Sequence, residues 1–303
     1  CSNLQGVKAM KIGAVFPHLE IGHDPVVIRD WAQAAEEIGY SHLLVYDHVI
    51  GAVHEGREPK LWGPYTEESS FHELFVLFGF FAACTQRVGL ASGVLILPQR
   101  QTVLVAKQAA EVDILSGGRL RLGVGTGWNY VEYDSLNENF NNRGRRQVEQ
   151  VELMRKLWQE PVLSYEGEHH KVERAGLKPL PGRQIPIWFG GFSDVVFKRA
   201  AEIGDGFILG SGQKENLEAM NLLQGHLEAN GRNIDEFGVE ALLNYQSGPD
   251  KWAEEVQAWQ DIGAEYVSMR GMALRGQGEG LKSPQEHIDI LSTYWKVVGE
   301  LSD

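Results

Sequence analysis

The stretch GRLRLGVGTGWN at residues 118–129 changes character halfway along. Leu120, Leu122 and Val124 alternate with Arg119, Arg121 and Gly123, the period of a strand with two unlike faces. Gly125, Thr126 and Gly127 then run into Trp128 and Asn129, a segment almost without side chains. Such a run can bind a dinucleotide, cradle a phosphate or turn a corner. A dinucleotide fingerprint opens a helix directly after the first strand and puts an acidic residue at the end of the next. Here the glycines follow the fourth predicted strand and the next helix begins only near Arg143, which disfavours a Rossmann fold. In the plain reading Gly123 and Gly125 relieve crowding inside a barrel while Gly127 makes a turn. In the functional reading a flat ring lies against the bare strand end and Trp128 walls it. The two are compatible.

Outward from this stretch, strands are predicted at 11–16, 42–48, 88–96, 185–189, 206–209, 237–245 and 265–270. Helical spacing of apolar residues separates them: from Pro25, over 70–84, 102–115, the segment after Arg143, 193–203 and 214–229, then up to Ile262 and through Ile288, Leu291, Trp295 and Val298. Residues 162–174 form an excursion hairpin, and a loop of about twenty residues follows the second strand, a length that usually carries function. Regular alternation of this kind predicts a (β/α)8 TIM barrel, an α/β fold with excursion loops, rather than a doubly wound sheet. Residues 10–303 read as a single TIM-barrel domain, and 1–9 as an expression remnant or disordered lead.

Lys and Arg total 28 against 41 Asp and Glu, a formal charge of -13. That balance repels nucleic acid and anionic membrane and leaves a small molecule as the expected partner. Cys1 and Cys84 are too few for a disulfide framework. With no run of about 18 apolar residues and no signal-peptide order, a cytoplasmic protein is expected. His169 and His170 are adjacent on the excursion and no HExxH occurs, so no metal is expected. The Arg143, Arg145, Arg146 cluster reads as a solvated helix start.

A packed barrel interior confines the site to the C-terminal ends of strands and the loops beyond them. Those positions hold His18, Asp47 and His48, the 51–70 loop, Ser92 to Gln99, Gly125 to Tyr133, Gly190 to Ser193, Gly210 to Gln213, Tyr245 to Ser247, and Arg270. In FGGFSD at 189–194, Gly190, Gly191 and Ser193 offer backbone N–H groups at a helix N-terminus to a phosphate, with Ser211 at a neighbouring strand end. The competing reading is ordinary capping by Ser193. His48 is suited to proton exchange or to orienting a substrate oxygen, and adjacent Asp47 points to the other side of a regular strand.

AEEIGYSHLLVYDHV, LPQRQTVLVAKQAAEVDILSGGRLRLGVGTGWN, RRQVEQVELMRKLW, PIWFGGFSD and RAAEIGDGF together resemble the bacterial luciferase-like flavin enzymes, particularly the group using the deazaflavin coenzyme F420. The resemblance runs over roughly residues 10–270. It implies a TIM barrel in which a cis peptide bulge, Gly93–Val94, supports the central coenzyme ring, with Ser92, Gly125, Thr126 and Gly127 alongside. It implies a catalytic role for His48 and phosphate binding around Gly190, Gly191, Ser193 and Ser211. The F420-dependent sugar-phosphate dehydrogenases carry a tryptophan four residues after the matching histidine and a glutamate directly after GTG; here those positions hold Ala52 and Trp128. An apolar or aromatic substrate is therefore expected, in a pocket of His18, Ala52, Trp62, Trp128 and Asn129. The alternatives are an FMN-dependent monooxygenase of the same superfamily, using reduced flavin and O2, and a non-catalytic flavin-binding protein. A homodimer is expected, with the aromatic 71–81 helix as a suitable surface.

Overall fold

A computed structural model describes residues 10–210 and 213–302, with the backbone course alone for 213–216. The expectations for residues 1–9 and for Ser211 lie outside the described residues. The chain runs β1 (Lys11–Val15), α1 (Pro25–Ile38), β2 (His42–Val45), α2 (Leu74–Cys84), β3 (Gly89–Ser92), β4 (Leu95–Ile96), α3 (Thr102–Leu115), β5 (Leu120–Gly125), α4 (Tyr130–Ser135) and α5 (Arg143–Gln159). There follow β6 (Leu163–Glu166), β7 (Lys171–Ala175), β8 (Ile187–Gly190), α6 (Asp194–Ile203), β9 (Gly206–Leu209), α7 (Gln213–Ala229), β10 (Gly238–Asn244), α8 (Pro249–Asp261), β11 (Tyr266–Arg270) and α9 (Pro284–Val298). Parallel pairing in the order β3-β2-β1-β11-β10-β9-β8-β5-β4 closes through β3–β5, giving the (β/α)8 barrel. The excursion hairpin is β6 with β7, antiparallel.

Two expected strands are shortened for local reasons. The strand predicted to His48 leaves the ladder after Val45. The one predicted over 88–96 is split, because the Gly93–Val94 peptide between β3 and β4 is cis. Helix α2 begins at Leu74 rather than at residue 70, where Glu73 caps it by accepting from Val76 N at 2.8 Å. The short α4 lies in a segment expected to be loop, capped by Asn129, whose side chain accepts from Val131 N.

Alternation along each strand sorts the interior. Leu120, Leu122 and Val124 of β5 join the large apolar layer under the helices, so Arg121, Gly123 and Gly125 face the barrel lumen. The polar face of the opening stretch is thus turned inward. Low in the lumen, Glu240 accepts from Arg121 Nη2 at 2.6 Å, lies 2.7 Å from His42 Nε2 and accepts from Ser268 Oγ at 2.6 Å. Burial pushes the Glu240 carboxyl up, but the Arg121 charge and His42 override it and pull it down to about 2. Arg121 also lies over the Trp188 ring, 4.0 Å from its centre. Trp188 fits because Gly206 and Gly238 present no side chain toward it.

A methyl group at Gly238 would overlap the Trp188 ring. Gly238→Ala should cost about 1–3 kcal/mol in urea unfolding by overpacking the lumen. Gly225→Ala, in α7 with nothing within 4 Å of the added carbon, should instead gain roughly 0.5–1 kcal/mol.

Candidate active site

The mouth is built first by the exit of β2. Leu43 and Val45 face the helices while Leu44 and Tyr46 face the lumen, so Asp47 turns out and His48 turns in. Asp47 accepts from Ile96 N at 2.9 Å and from Arg100 Nη2 at 2.6 Å, tying this exit to β4 just after the cis peptide. His48 Nδ1 lies 3.1 Å from Glu132 Oε2. The other oxygen of Glu132 accepts from Val49 N, and from Ile50 N at 3.3 Å. Burial raises the Glu132 carboxyl, but the hydrogen bond from His48, its charge and the two backbone donors hold it below the usual carboxylate range. An ionised carboxylate only accepts, so His48 Nδ1 carries the hydrogen and Nε2 is the nitrogen left for a ligand.

Glu132 lies inside the candidate stretch Gly125 to Tyr133, but nothing in the sequence singles it out from that stretch. It sits three positions after the cap Asn129, the spacing of a capping box, yet it reaches across to the β2 exit instead of back to its own helix end.

Aromatic rings enclose His48: Phe71 at 4.9 Å between centroids, Tyr65 at 5.0 Å and Trp128 at 5.7 Å. Behind Phe71, fully buried His18 accepts from His72 N at 3.3 Å. Burial, and then the neighbouring His72, push its imidazole down to about 3, which keeps it neutral and makes it a wall rather than a proton carrier. The 51–70 loop closes over Trp128: Gly63 packs against the indole, Leu61 and Ala52 are buried, and Tyr130 Oη donates to Pro59 O at 2.7 Å. Trp62 does not follow them. It is 72% exposed, because its neighbour Gly63 takes the contact with Trp128. Asn129 is also turned away from the pocket, buried as the cap of α4.

The opposite half of the mouth is nearly bare. Side chains at Gly125 or Gly190 would strike Val94, and one at Gly123 would strike the Ser92 backbone, so these glycines admit the cis segment. Ser92 Oγ donates to Gly123 O at 2.8 Å, and Thr126 O accepts from Tyr133 Oη at 2.6 Å. Gly127, at φ +62, turns the chain beside Ile96, as the plain reading of the glycines expects. At α6, Ser193 occupies the cap position, but among the described residues its hydroxyl makes no capping bond. Asp194 in the first turn pairs with His226 Nε2 at 2.7 Å. The exposed Ser193 hydroxyl and the first N–H groups of α6 can therefore meet an anion.

Elsewhere, His170 is engaged with Glu149 and Thr102 in holding the hairpin down. Among the described residues no three His, Cys, Asp or Glu side chains gather as metal ligands, and no helix is long and apolar enough to cross a membrane.

Comparison with known proteins gives this geometry a setting. A family model described as luciferase-like monooxygenase matches residues 13–294. An uncharacterized protein of Mycobacterium tuberculosis (strain ATCC 25618 / H37Rv) is 33% identical over 235 residues, covering 75% of this chain and 80% of that one. An F420-dependent glucose-6-phosphate dehydrogenase of Nakamurella multipartita is 29% identical over 300 residues, covering 89% and 83%. In fold, a solved F420-dependent secondary alcohol dehydrogenase in complex with an F420-acetone adduct superposes with a TM-score of 0.76 at 16% identity, over 97% and 100% of the two chains.

Glu132→Gln should lower stability at pH 7 by about 1–3 kcal/mol, the cost of mismatching a buried acceptor of three donors. A depressed carboxyl contributes stability that is full above its unfolded value near 4.5 and is lost as pH falls through the lower folded value. Urea midpoints of the two proteins should therefore converge below pH 4.5, and a gap that stays constant down to acid unfolding would contradict the assignment.

Proposed function

We propose that this chain, which belongs to the luciferase-like monooxygenase family, is an F420-dependent oxidoreductase that moves a hydride between the deazaflavin coenzyme and a small, apolar or aromatic organic molecule. The observation that carries this reading is the division of the mouth. One half is a side-chain-poor wall around the cis Gly93–Val94 segment, and the other is His48 inside an aromatic enclosure. The F420-dependent relatives support this coenzyme over FMN.

The residues present fit such a coenzyme. Strand ends at Gly125, Gly190 and Gly210 carry no side chain that would obstruct a flat ring, and the Ser193 hydroxyl, free of its own helix, suits a phosphate beside Gly190 and Gly191. When bound, the deazaflavin supplies a carbon that accepts or donates hydride. His48 Nε2 gives or takes the proton at the substrate oxygen, or holds that oxygen in place. Glu132 fixes the ring through Nδ1 and offsets the charge of the imidazolium. Trp128, Tyr65 and Phe71 exclude water from the reacting atoms. With Ala52 and Trp128 in place of a tryptophan and an acid, a sugar phosphate is disfavoured.

The active protein is a homodimer in this reading. Helix α2 is apolar all round, an arrangement that suits a helix covered on every side. Its inner face packs in the core, while Val76 is 72% and Phe80 37% exposed, with Val103 and Leu104 of α3 also outward. A second copy would cover this face.

Purified protein should bind F420 and turn over with it. FMN binding with NAD(P)H-coupled oxygen consumption, and no affinity for F420, would overturn the assignment. His48→Ala should reduce kcat roughly a hundredfold or more while F420 affinity changes little; unchanged turnover would favour a binding protein without catalysis. In sedimentation, Val76→Asp should convert a dimer to monomers, and a monomeric wild type would refute the interface.

A further inference from the structure

Along β11, Val267 and Met269 join the apolar layer beneath the helices, so Tyr266, Ser268 and Arg270 face the lumen. Ser268 belongs to the Glu240 layer; Arg270 stands two residues higher, in the ring of side chains at the mouth. There its guanidinium meets the hydroxyl of Tyr46. Tyr46 clusters with Leu19, Tyr65, Phe71 and Leu274, and the Tyr65 ring touches His48. The inward-facing Arg121 is neutralised by Glu240, and the half-buried Arg100 and buried Arg146 are each paired with a carboxylate. Among the described residues Arg270 meets no carboxylate. Its Nη2 donates to the neutral amide of Gln277 at 2.7 Å, and its Nε, shut off from solvent, has no hydrogen-bond partner among those residues. A half-buried cation with a free donor edge is costly unless a ligand brings the counter-charge.

We propose that Arg270 receives the carboxylate of the substrate, so that the preferred substrates are planar aromatic acids whose rings lie against Tyr65 and Phe71 beside His48. This rests on the reading of the mouth as a hydride-transfer site and narrows its substrate class. A guanidinium edge matches the two oxygens of a carboxylate, which a lysine would not. A hexose phosphate would bring several hydroxyls to walls of Leu19, Phe71 and Leu274 that offer them nothing. The acids at the outer rim, Glu55, Glu67 and Glu68, are exposed, and salt screens them beyond about 8 Å under physiological conditions.

The test is calorimetric titration of wild type, Arg270→Met and Arg270→Lys with cinnamate, cinnamamide and glucose 6-phosphate, each with and without F420. Wild type should bind cinnamate at least about tenfold more tightly than the amide, the value of a charge-assisted hydrogen bond. Arg270→Met should level the two ligands and Arg270→Lys should keep part of the preference, with circular dichroism showing that both variants fold. Equal affinities in the wild type, no binding of cinnamate, tighter binding of glucose 6-phosphate, or equal losses for acid and amide in Arg270→Met would each overturn the proposal. So would a loss confined to F420 affinity, which would give Arg270 to the coenzyme. Failure of wild type to bind F420 would sink the hydride-transfer reading alone, because the acid-to-amide ratio without coenzyme still decides the role of Arg270.

Discussion

A carboxylate can be buried completely only where donors surround it, and at Glu132 the donors are the parts of the chain that make the mouth of this barrel. Two backbone N–H groups come from the first residues beyond His48, and the third donor is His48 itself. Helix α4, which carries Glu132, is thereby fixed to the exit of β2, and Trp128, at the start of the same turn, is brought over His48. This contact fixes which ring nitrogen of His48 carries the hydrogen, while Tyr130 Oη on Pro59 O and Gly63 against the Trp128 indole add to it in holding the 51–70 loop over one wall.

The same interior rule, alternate residues inward, builds two tiers of different character. The lower tier is a closed polar plug of Arg121, His42, Ser268 and Glu240, in which each group meets an opposite charge or a hydrogen-bonding partner. The upper tier is divided. Glycines on β5 and β8, with Gly210 just beyond β9, leave one side bare, while Tyr46, His48 and Arg270 crowd the other. On neighbouring layers of one lumen, Arg121 below is paired with Glu240, whereas Arg270 above meets no carboxylate among the described residues.

Much of this was legible in the residues. Alternation gave the strands, three- to four-residue spacing gave the long helices, and strand ends at His48, Gly190 and Arg270 pointed to the mouth. Three things were hidden for physical reasons. Helix α4 is six residues long, too short to display a period. Glu132 resembles a capping residue, and its actual partners lie 82–84 positions away in sequence. Trp62 reads as a pocket aromatic, yet whether it or Gly63 meets Trp128 depends on a loop path that spacing does not encode. The alternation in GRLRLGVGTGWN was clear, but only closure of the barrel turns its Arg and Gly face into an interior.

Whether Glu132 sets the state of His48 is open to direct observation by long-range proton–nitrogen NMR of the His48 ring in the F420-loaded protein at a pH where the imidazole is neutral. A single tautomer protonated at Nδ1 is expected, giving way to a mixture in Glu132→Gln. A ring protonated at Nε2, or a spectrum unchanged by the substitution, would contradict it.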